Sequence, residues 1–281
     1  MNKYTISQFN NQFPDDNACL EWLKNYLYPN GITCKQCSKV TNHSKLSNLP
    51  VYSCNLCGTH VHPKAGTIFQ DSRTPLRQWF YAMFIISATR CGISAKQLQR
   101  ELGVTYKTAW RMFYQIRCLM DEDCKLDNTV ELDETYIGAR KPGKRGRGAA
   151  GKASIFGMAE RKGNIEAVVT SDLKRTTLYP IIKEHVLPKS MIYTDEFQAY
   201  TGLSQEGYRH KRVHHASKVY VSGDVHTNTI EGFWSLLKGG ISGVYKAVGQ
   251  KHLQHYVDEY AFRYNHRKDE QPMFLTVLKQ I

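Results

Sequence analysis

Long apolar runs are missing from this sequence of 281 residues. The longest, from Trp79 to Ala88, is too short to cross a bilayer and is better explained as a buried helix. The first residues, MNKYTISQFNNQF, also lack the basic stretch and apolar run of a secretion signal. Together the two absences predict a cytoplasmic protein that makes no contact with a membrane.

Acidic residues are fewer than basic residues in this sequence. The chain has 25 Asp and Glu against 38 Lys and Arg, which gives a net charge of +13. Such an excess favours a polyanionic partner, because each phosphate that is neutralised releases condensed counterions. Charge alone does not identify that partner, since a protein that simply happens to be basic fits the same numbers. The hydrophobic fraction of 41% and the charged fraction of 22% exclude a disordered chain.

A disulfide framework is not expected, although the chain has eight cysteines, because reducing compartments keep thiols free. Four of them form two CxxC pairs: Cys34, Cys37, Cys54 and Cys57. Two such turns supply four thiolates to a tetrahedral Zn²⁺ ion, so we predict a zinc ribbon with one structural ion. Four unrelated thiols or a redox motif are the alternatives, but the second pair and the absence of a flanking βαβ pattern argue against redox chemistry. Whether the ribbon contacts DNA stays open.

The chain divides into four stretches of different character. Residues 1–30 carry apolar positions at helical intervals, and residues 31–68 contain the two cysteine pairs among turn-forming residues. Residues 70–125 have helical periodicity throughout. From 129 to 281, strand-like runs come first, then helices alternate with a further strand. This order predicts an α/β or α+β domain built on a mixed sheet flanked by helices.

Two short amphipathic segments, 94–103 and 106–113, are joined by a glycine turn. This pattern is typical of a helix-turn-helix, whose second helix enters the major groove of DNA. Lys107 and Arg111 on that helix are predicted to face DNA, as is Tyr106. Three neighbours are predicted to pack inward: Ala109, Trp110 and Phe113. A plain helical hairpin within a bundle is the alternative.

A basic, glycine-rich segment runs from Arg140 to Lys152. We interpret it as a loop that contacts DNA phosphates, although a solvated mobile loop would have the same composition. The candidate phosphate contacts are Lys141, Lys144, Arg145 and Arg147.

Three acids occupy positions that favour metal binding. Asp133 lies within a predicted strand, Asp195 at the end of another, and Glu231 in the first turn of a predicted helix. Each acid also has an ordinary explanation: Asp133 as a solvent-facing residue, Asp195 as a turn former, and Glu231 as part of a capping box with Asn228. Together, however, they can converge at one sheet edge and hold two divalent ions, which is the arrangement for in-line phosphoryl transfer. Oxygen ligands suit Mg²⁺ or Mn²⁺.

The segments DETYIG, YTDEFQAY and HTNTIEGFWSLLK together resemble bacterial insertion-sequence transposases of the DDE class, in the subgroup with an N-terminal zinc ribbon. The resemblance spans nearly the whole chain and implies a ribonuclease H-like fold with Asp133, Asp195 and Glu231 as the catalytic triad. It also implies that Lys238 contacts DNA near the cut end, and that Asn228 is the alternative third ligand.

The same resemblance implies cleavage at the ends of a mobile element, strand transfer into double-stranded target DNA, and a homodimer or higher oligomer on DNA. A transposase-derived regulator that binds DNA without cutting it is the main rival, and the three intact acids argue against it. A ribonuclease H-like nuclease acting on RNA or junctions is a second rival. The zinc ribbon and the helix-turn-helix in front of the catalytic domain argue against such a nuclease, because these modules suit a protein that binds a defined site in duplex DNA.

Overall fold

The computed structural model describes residues 4–138, 152–212 and 226–281. They form two compact units. The first contains the chain up to Arg90 together with Ala95–Leu119 and Asp269–Ile281, and the second contains Cys91–Ser94 and Met120–Lys268. Within the described ranges, no helix has the length and apolar character needed to span a bilayer.

In chain order the helices are α1 (Ile6–Gln12), α2 (Asp16–Leu27), α3 (Leu76–Ala88), α4 (Ala95–Leu102), α5 (Tyr106–Cys118), α6 (Arg175–His185), α7 (Asn228–Gly240), α8 (Leu253–Asn265) and α9 (Met273–Leu278). The strands are β1 (Thr33–Cys34), β2 (Lys39–Val40), β3 (His43–Lys45), β4 (Tyr52–Cys54), β5 (His60–Val61), β6 (Thr129–Ile137), β7 (Ala153–Glu160), β8 (Ile165–Thr170), β9 (Met191–Thr194) and β10 (Arg209–Arg212).

The first unit is helical around two very small sheets, β1–β2 and β3–β4–β5. Local signals fix its helix starts: Thr5 and Gln8 form a capping box on α1, and the Asp15 side chain caps α2. At α3, the Asp16 carboxylate accepts hydrogen bonds from the backbone N–H groups of Leu76 and Arg77. These donors would otherwise be unsatisfied, so the acid holds α2 against the start of α3.

Helices α4 and α5 form the expected hairpin. Gly103 in the turn has a φ of 65°, a conformation that side chains disfavour. Thr105 then caps α5 by accepting a hydrogen bond from the Thr108 N–H group. Leu98 and Leu102 of α4 are buried, so both helices turn an apolar stripe inward.

The second unit is built on a five-stranded sheet in the order β10-β9-β6-β7-β8. Strands β6, β7 and β8 are antiparallel neighbours, whereas β9 runs parallel to β6 and β10 parallel to β9. This order and these directions are those of the ribonuclease H-like fold. The predicted mixed α/β sheet with flanking helices is therefore confirmed.

Alternating side chains of β7 divide the core into two layers. Ile155 and Ala159 lie in a cluster with α7 and α8, and Phe156 and Met158 lie in a cluster with α6. Successive side chains of a strand point to opposite faces, so one strand buries both surfaces of the sheet. Such two-sided burial is what a near-continuous apolar run such as SIFGMA requires.

Both edges of the sheet are protected. On β8, the Asn265 side chain pairs with both backbone groups of Ile165, and Gln254 bonds the Val169 N–H and the Ala167 carbonyl. Side chains of α8 thus take the place of a neighbouring strand. At the other edge, β10 has the sequence RHKR, whose charges disfavour pairing with a further chain.

Candidate active site and zinc site

The register of two parallel strands brings Asp133 and Asp195 together. Glu131 of β6 is paired with Tyr193 of β9. Asp133 lies two residues further along β6, and Asp195 lies two residues after Tyr193, directly beyond the end of β9. Oxygen atoms of Asp133, Asp195 and Glu134 all lie within 4.8 Å of one another. The convergence of two of the three predicted acids therefore follows from the strand pairing itself.

Glu134 is the member of this cluster that the sequence did not indicate as a ligand. It is 9% exposed, and its Oε2 accepts a hydrogen bond of 2.8 Å from the buried hydroxyl of Tyr200. Burial and the negative charge of Glu134 hold the pKa of Tyr200 well above its usual value, so the phenol stays a donor. The tyrosine fixes the orientation of this carboxylate.

Asp133 is held by the opposite layer of the core. Its Oδ2 accepts a hydrogen bond of 2.9 Å from the indole Nε1 of Trp234 on α7. The indole lies against Gly157, the residue paired with Asp133 on β7, and a Cβ there would come within 2.5 Å of the ring. Burial, and then the charge of Glu134, raises the pKa of Asp133 to about 7.

This donor set fits a divalent cation. Acidic oxygens crowded in a poorly hydrated place repel one another, and a cation relieves that repulsion. Carboxylate oxygens are hard ligands of the kind that Mg²⁺ and Mn²⁺ bind. The residues present at the end of the β6–β9 pairing therefore suit a metal site.

Glu231 lies in the first turn of α7 and lines a cavity of about 240 Å³ together with Asp133 and Lys238. Its Oε1 accepts a hydrogen bond from the Thr227 hydroxyl, and its carboxylate does not belong to the 4.8 Å cluster. The shared cavity confirms that Glu231 and Lys238, two turns apart, lie on one face of the helix. Asn228 is exposed and lies outside the lining of this cavity. The N-cap residue is Thr227 and not Asn228, and its side chain accepts no hydrogen bond from the helix start, so the capping-box alternative is wrong.

The start of α7 is instead capped from the sheet by Glu131, which is fully buried. Its carboxylate accepts hydrogen bonds from the backbone N–H groups of Thr229 and Ile230, at 2.7 and 3.1 Å. It also pairs with Arg161 at 2.9 Å, while the Arg161 guanidinium donates to the His226 carbonyl. A carboxylate at a helix N-terminus is favoured by the helix dipole. Glu131 thus fixes the helix that carries Glu231 to the strand that carries Asp133.

We expect Glu131→Gln to destabilise the second unit by about 3 kcal/mol, because one buried partner of an ion pair is removed and an amide N–H₂ faces N–H donors. Thermal unfolding should then begin roughly 6–12 °C lower. Glu184→Gln, at an acid whose side chain is 65% exposed, is the matched control and should change the melting temperature little. Equal melting temperatures for the two variants would contradict the capping role.

The four cysteines of the CxxC pairs meet in the first unit. Their Sγ atoms all lie within 4.8 Å of one another, with Cys34 to Cys57 at 3.5 Å and Cys37 to Cys54 at 4.0 Å. A tetrahedron with Zn–S bonds of about 2.3 Å has edges of about 3.8 Å, so the spacing fits zinc. A hydrogen bond from the Thr41 hydroxyl lowers the pKa of Cys54 to about 6. The adjacent Cys57 sulfur raises the pKa of Cys37 to about 12, so a cation is needed for all four to ionise together.

The remaining candidate DNA contacts lie on α5 and in the basic segment. Ala109 and Phe113 are buried, as predicted. Lys107 and Arg111 are exposed, which leaves them accessible to DNA. The prediction for Trp110 is wrong, because this residue is 36% exposed and lies outside the buried stripe of α5. The four basic residues predicted to bind phosphate fall outside the described residues: Lys141, Lys144, Arg145 and Arg147.

The sheet order defines a ribonuclease H-like domain, and the acidic cluster is its candidate metal site. Residues 125–265 match the model of the ISXO2-like transposase domain, and the chain belongs to this family. Its function is that of a DNA transposase, as the resemblance implied.

Relatives agree with this assignment. The chain is 27% identical over 271 residues to a protein of transposable element ISH50 from Halobacterium salinarum, covering 89% of this chain and 91% of the relative. It is 28% identical over 120 residues to a transposase-like protein of Haemophilus influenzae, covering 43% of this chain and 94% of the relative. Because Halobacterium is an archaeon, the expected restriction to bacteria is too narrow.

Two solved structures show weak overall similarity. One is a simian T-cell lymphotropic virus intasome in complex with PP2A regulatory subunit B56 gamma, with 14% identity, coverage of 68% of this chain and 74% of that chain, and a TM-score of 0.33. The other is the Mos1 strand transfer complex, with 12% identity, coverage of 72% and 74%, and a TM-score of 0.32.

Proposed function

We propose that this transposase cuts DNA at the ends of its mobile element and joins the freed ends to target DNA. Water hydrolyses a phosphodiester bond at the element end and leaves a 3′ hydroxyl, and that hydroxyl then attacks a phosphodiester bond of the target. The observation that supports the proposal most directly is the convergence of Asp133 and Asp195 where β6 and β9 part.

Asp133, Asp195 and Glu231 would hold two Mg²⁺ or Mn²⁺ ions. When bound, such ions activate the attacking oxygen and stabilise the charge on the leaving oxygen. The protein positions these acids beforehand: Trp234 holds Asp133, and the Glu131 cap holds the helix of Glu231. These acids therefore need little rearrangement when the reaction takes place.

Lys238 neutralises a phosphate near the cut. It shares the cavity with Asp133 and Glu231, so a DNA strand whose phosphate reaches the acids passes this ammonium group. A lysine binds phosphate as a point charge on a flexible side chain, so the same ammonium group can neutralise the phosphate during both cleavage and strand transfer.

Three residues compete for the position of third ligand. We propose Glu231, because it is a carboxylate in the wall of the same cavity as Asp133. Asn228 is the alternative from the family resemblance, and Glu134 is the alternative from its distance to the aspartates. Glu134 is already bound to Tyr200, which favours a role in orienting the cluster.

The test is incubation of purified protein with linear DNA that carries the flanking ends of its own gene, in the presence of Mg²⁺. We expect nicks with 3′ hydroxyl ends, and none with Asp133→Ala. Binding without nicking would instead identify a regulator that has lost catalysis. Nicking that is unchanged in Asp133→Ala would refute the proposed active site.

The domain division proposed for this activity is an N-terminal helical segment (1–30), a ribbon with one Zn²⁺ ion (31–68), a DNA-reading helix-turn-helix (70–125) and a catalytic domain (129–281). The basic segment between β6 and β7 would add phosphate contacts. Joining two element ends requires two active sites, so we propose a homodimer or higher oligomer on DNA. A chromosomal substrate would place the protein at the nucleoid.

We expect Lys107→Ala and Arg111→Ala to weaken binding to element ends, because both cations are exposed on the second helix of the hairpin. If they contact phosphates, each substitution should lower the slope of log affinity against log salt by about one unit. Lys279→Ala, at an exposed lysine of the same unit, is the control. Equal slopes for all variants in a salt titration would contradict the DNA-facing role of α5.

A further inference from the structure

A second, larger cavity continues from the acidic one. Its volume is about 490 Å³, and Lys238 lies in the walls of both. The acidic cavity is lined by β6 from Asp133 to Thr135, and the second by Tyr136, Ile137 and Gly138. The two cavities adjoin at Lys238, and we call them together the groove along β6.

The groove is long enough for more than one nucleotide. From Asp133 to Ile137 a strand advances about 13 Å, at roughly 3.3 Å per residue. Phosphates of one strand of duplex DNA recur about every 3.4 Å along the axis. A strand whose scissile phosphate lies at the acids thus extends its neighbouring nucleotide into the second cavity.

The end of α7 brings a second lysine to this cavity. A π-helical turn, Ile241–Tyr245, follows the helix, and Lys246 comes next with φ 65° and ψ −49°. The Ala247 N–H group bonds the Tyr245 carbonyl at 2.7 Å, which closes a three-residue turn of the strained, positive-φ kind. Strained turns and π-helical turns persist where surrounding structure holds them, often at functional sites. Here the turn places Lys246 in the cavity wall.

The chemistry of the walls suits a nucleoside. Tyr136 and Val248 offer aromatic and apolar surface for a base, and Lys238 and Lys246 offer charge for its phosphates. A base within a duplex is covered on both faces by its neighbours, so a base that enters this cavity must leave the helical stack. Stacking of a base on an aromatic ring is favourable whatever the sequence.

We propose that this cavity binds an unstacked nucleoside of the DNA strand, next to the phosphate that is cut. The inference rests on the proposed function, since it takes the acidic cluster as the position of that phosphate. The cavity then holds the strand in register and separates the paired bases at the element end.

Filling the cavity tests the proposal. Val248→Trp places an indole in the cavity, and Leu236→Trp is the matched control, at an α7 residue that is 56% exposed and outside both cavities. We expect Val248→Trp to cut the natural end at least tenfold more slowly than Leu236→Trp. An abasic nucleotide beside the scissile phosphate should restore most of that rate, because no base then competes with the indole. Ser242→Phe, at an exposed residue of the cavity wall, repeats the test if Val248→Trp does not fold.

A binding measurement separates this proposal from the catalytic one. With Asp133→Ala protein and Ca²⁺, 2-aminopurine next to the cut position should gain fluorescence on binding, and Val248→Trp in the same background should abolish the gain. Because the fluorescence is measured without cleavage, this experiment tests the nucleoside site even if the proposed catalytic role of the acids is wrong. Equal cleavage by the two tryptophan variants, or a rate that abasic DNA does not restore, would overturn the nucleoside site, as would unchanged fluorescence.

Discussion

Asp195→Asn is expected to lower the rate of strand cleavage at least ~1,000-fold, which corresponds to about 4 kcal/mol of barrier. The substitution keeps the size of the side chain and removes one anionic oxygen from the cluster with Asp133 and Glu134. Metal ions at such sites contribute several kcal/mol of transition-state stabilisation, and an amide is a poor substitute ligand. DNA binding in Ca²⁺ should change little, since the substrate contacts proposed for α5 are intact.

The neighbouring residue provides the control. Glu196 is exposed, and Glu196→Gln makes the same change of charge one position further along the chain. It should cut DNA at close to the rate of the unaltered protein. If both variants were equally slow, the loss would reflect the segment after β9 and not a metal ligand. If neither were slow, Asp195 would not belong to the active site.

Much of the second unit could be predicted from local pattern. Alternation of apolar and polar residues located β6, and Asp133 and Asp195 stood out as acids within one predicted strand and at the end of another. Their convergence also needs the parallel pairing of β6 with β9. The order of the sheet came from the family resemblance, because pairing is decided by long-range contacts that no local pattern encodes.

The residues that were not predicted depend on such contacts. Alternation along β6 gave no reason to select Glu134, since its partner Tyr200 is 66 residues away in the chain. The cap that Glu131 provides for Thr229 joins residues 98 apart. Strand β10 was missed because RHKR has no apolar alternation, as is common for a charged edge strand. These features are buried or edge features, and they form only once the sheet has assembled.

We expect the folding of the zinc ribbon to depend more strongly on one bound ion than any other part of the chain does. We expect Cys54→Ser to lose the zinc ion and to leave residues 31–68 without stable structure. Their strands are only two or three residues long, so the segment cannot bury much apolar surface by itself. Zinc binding contributes roughly 10–16 kcal/mol to the folding of small zinc modules, which exceeds the stability of most domains.

The measurements are metal content and limited proteolysis. The unaltered protein should carry about one equivalent of zinc and resist cleavage in the ribbon, whereas Cys54→Ser should carry none and be cut there. Cys91→Ser, at an exposed thiol outside the cluster, should behave as the unaltered protein does. Both measurements are needed, because only a fold that depends on the metal explains the loss of zinc together with cleavage within the ribbon. A zinc-free ribbon that still resists protease would show that the four thiols lie close together for packing alone, and the structural role of the ion would have to be given up.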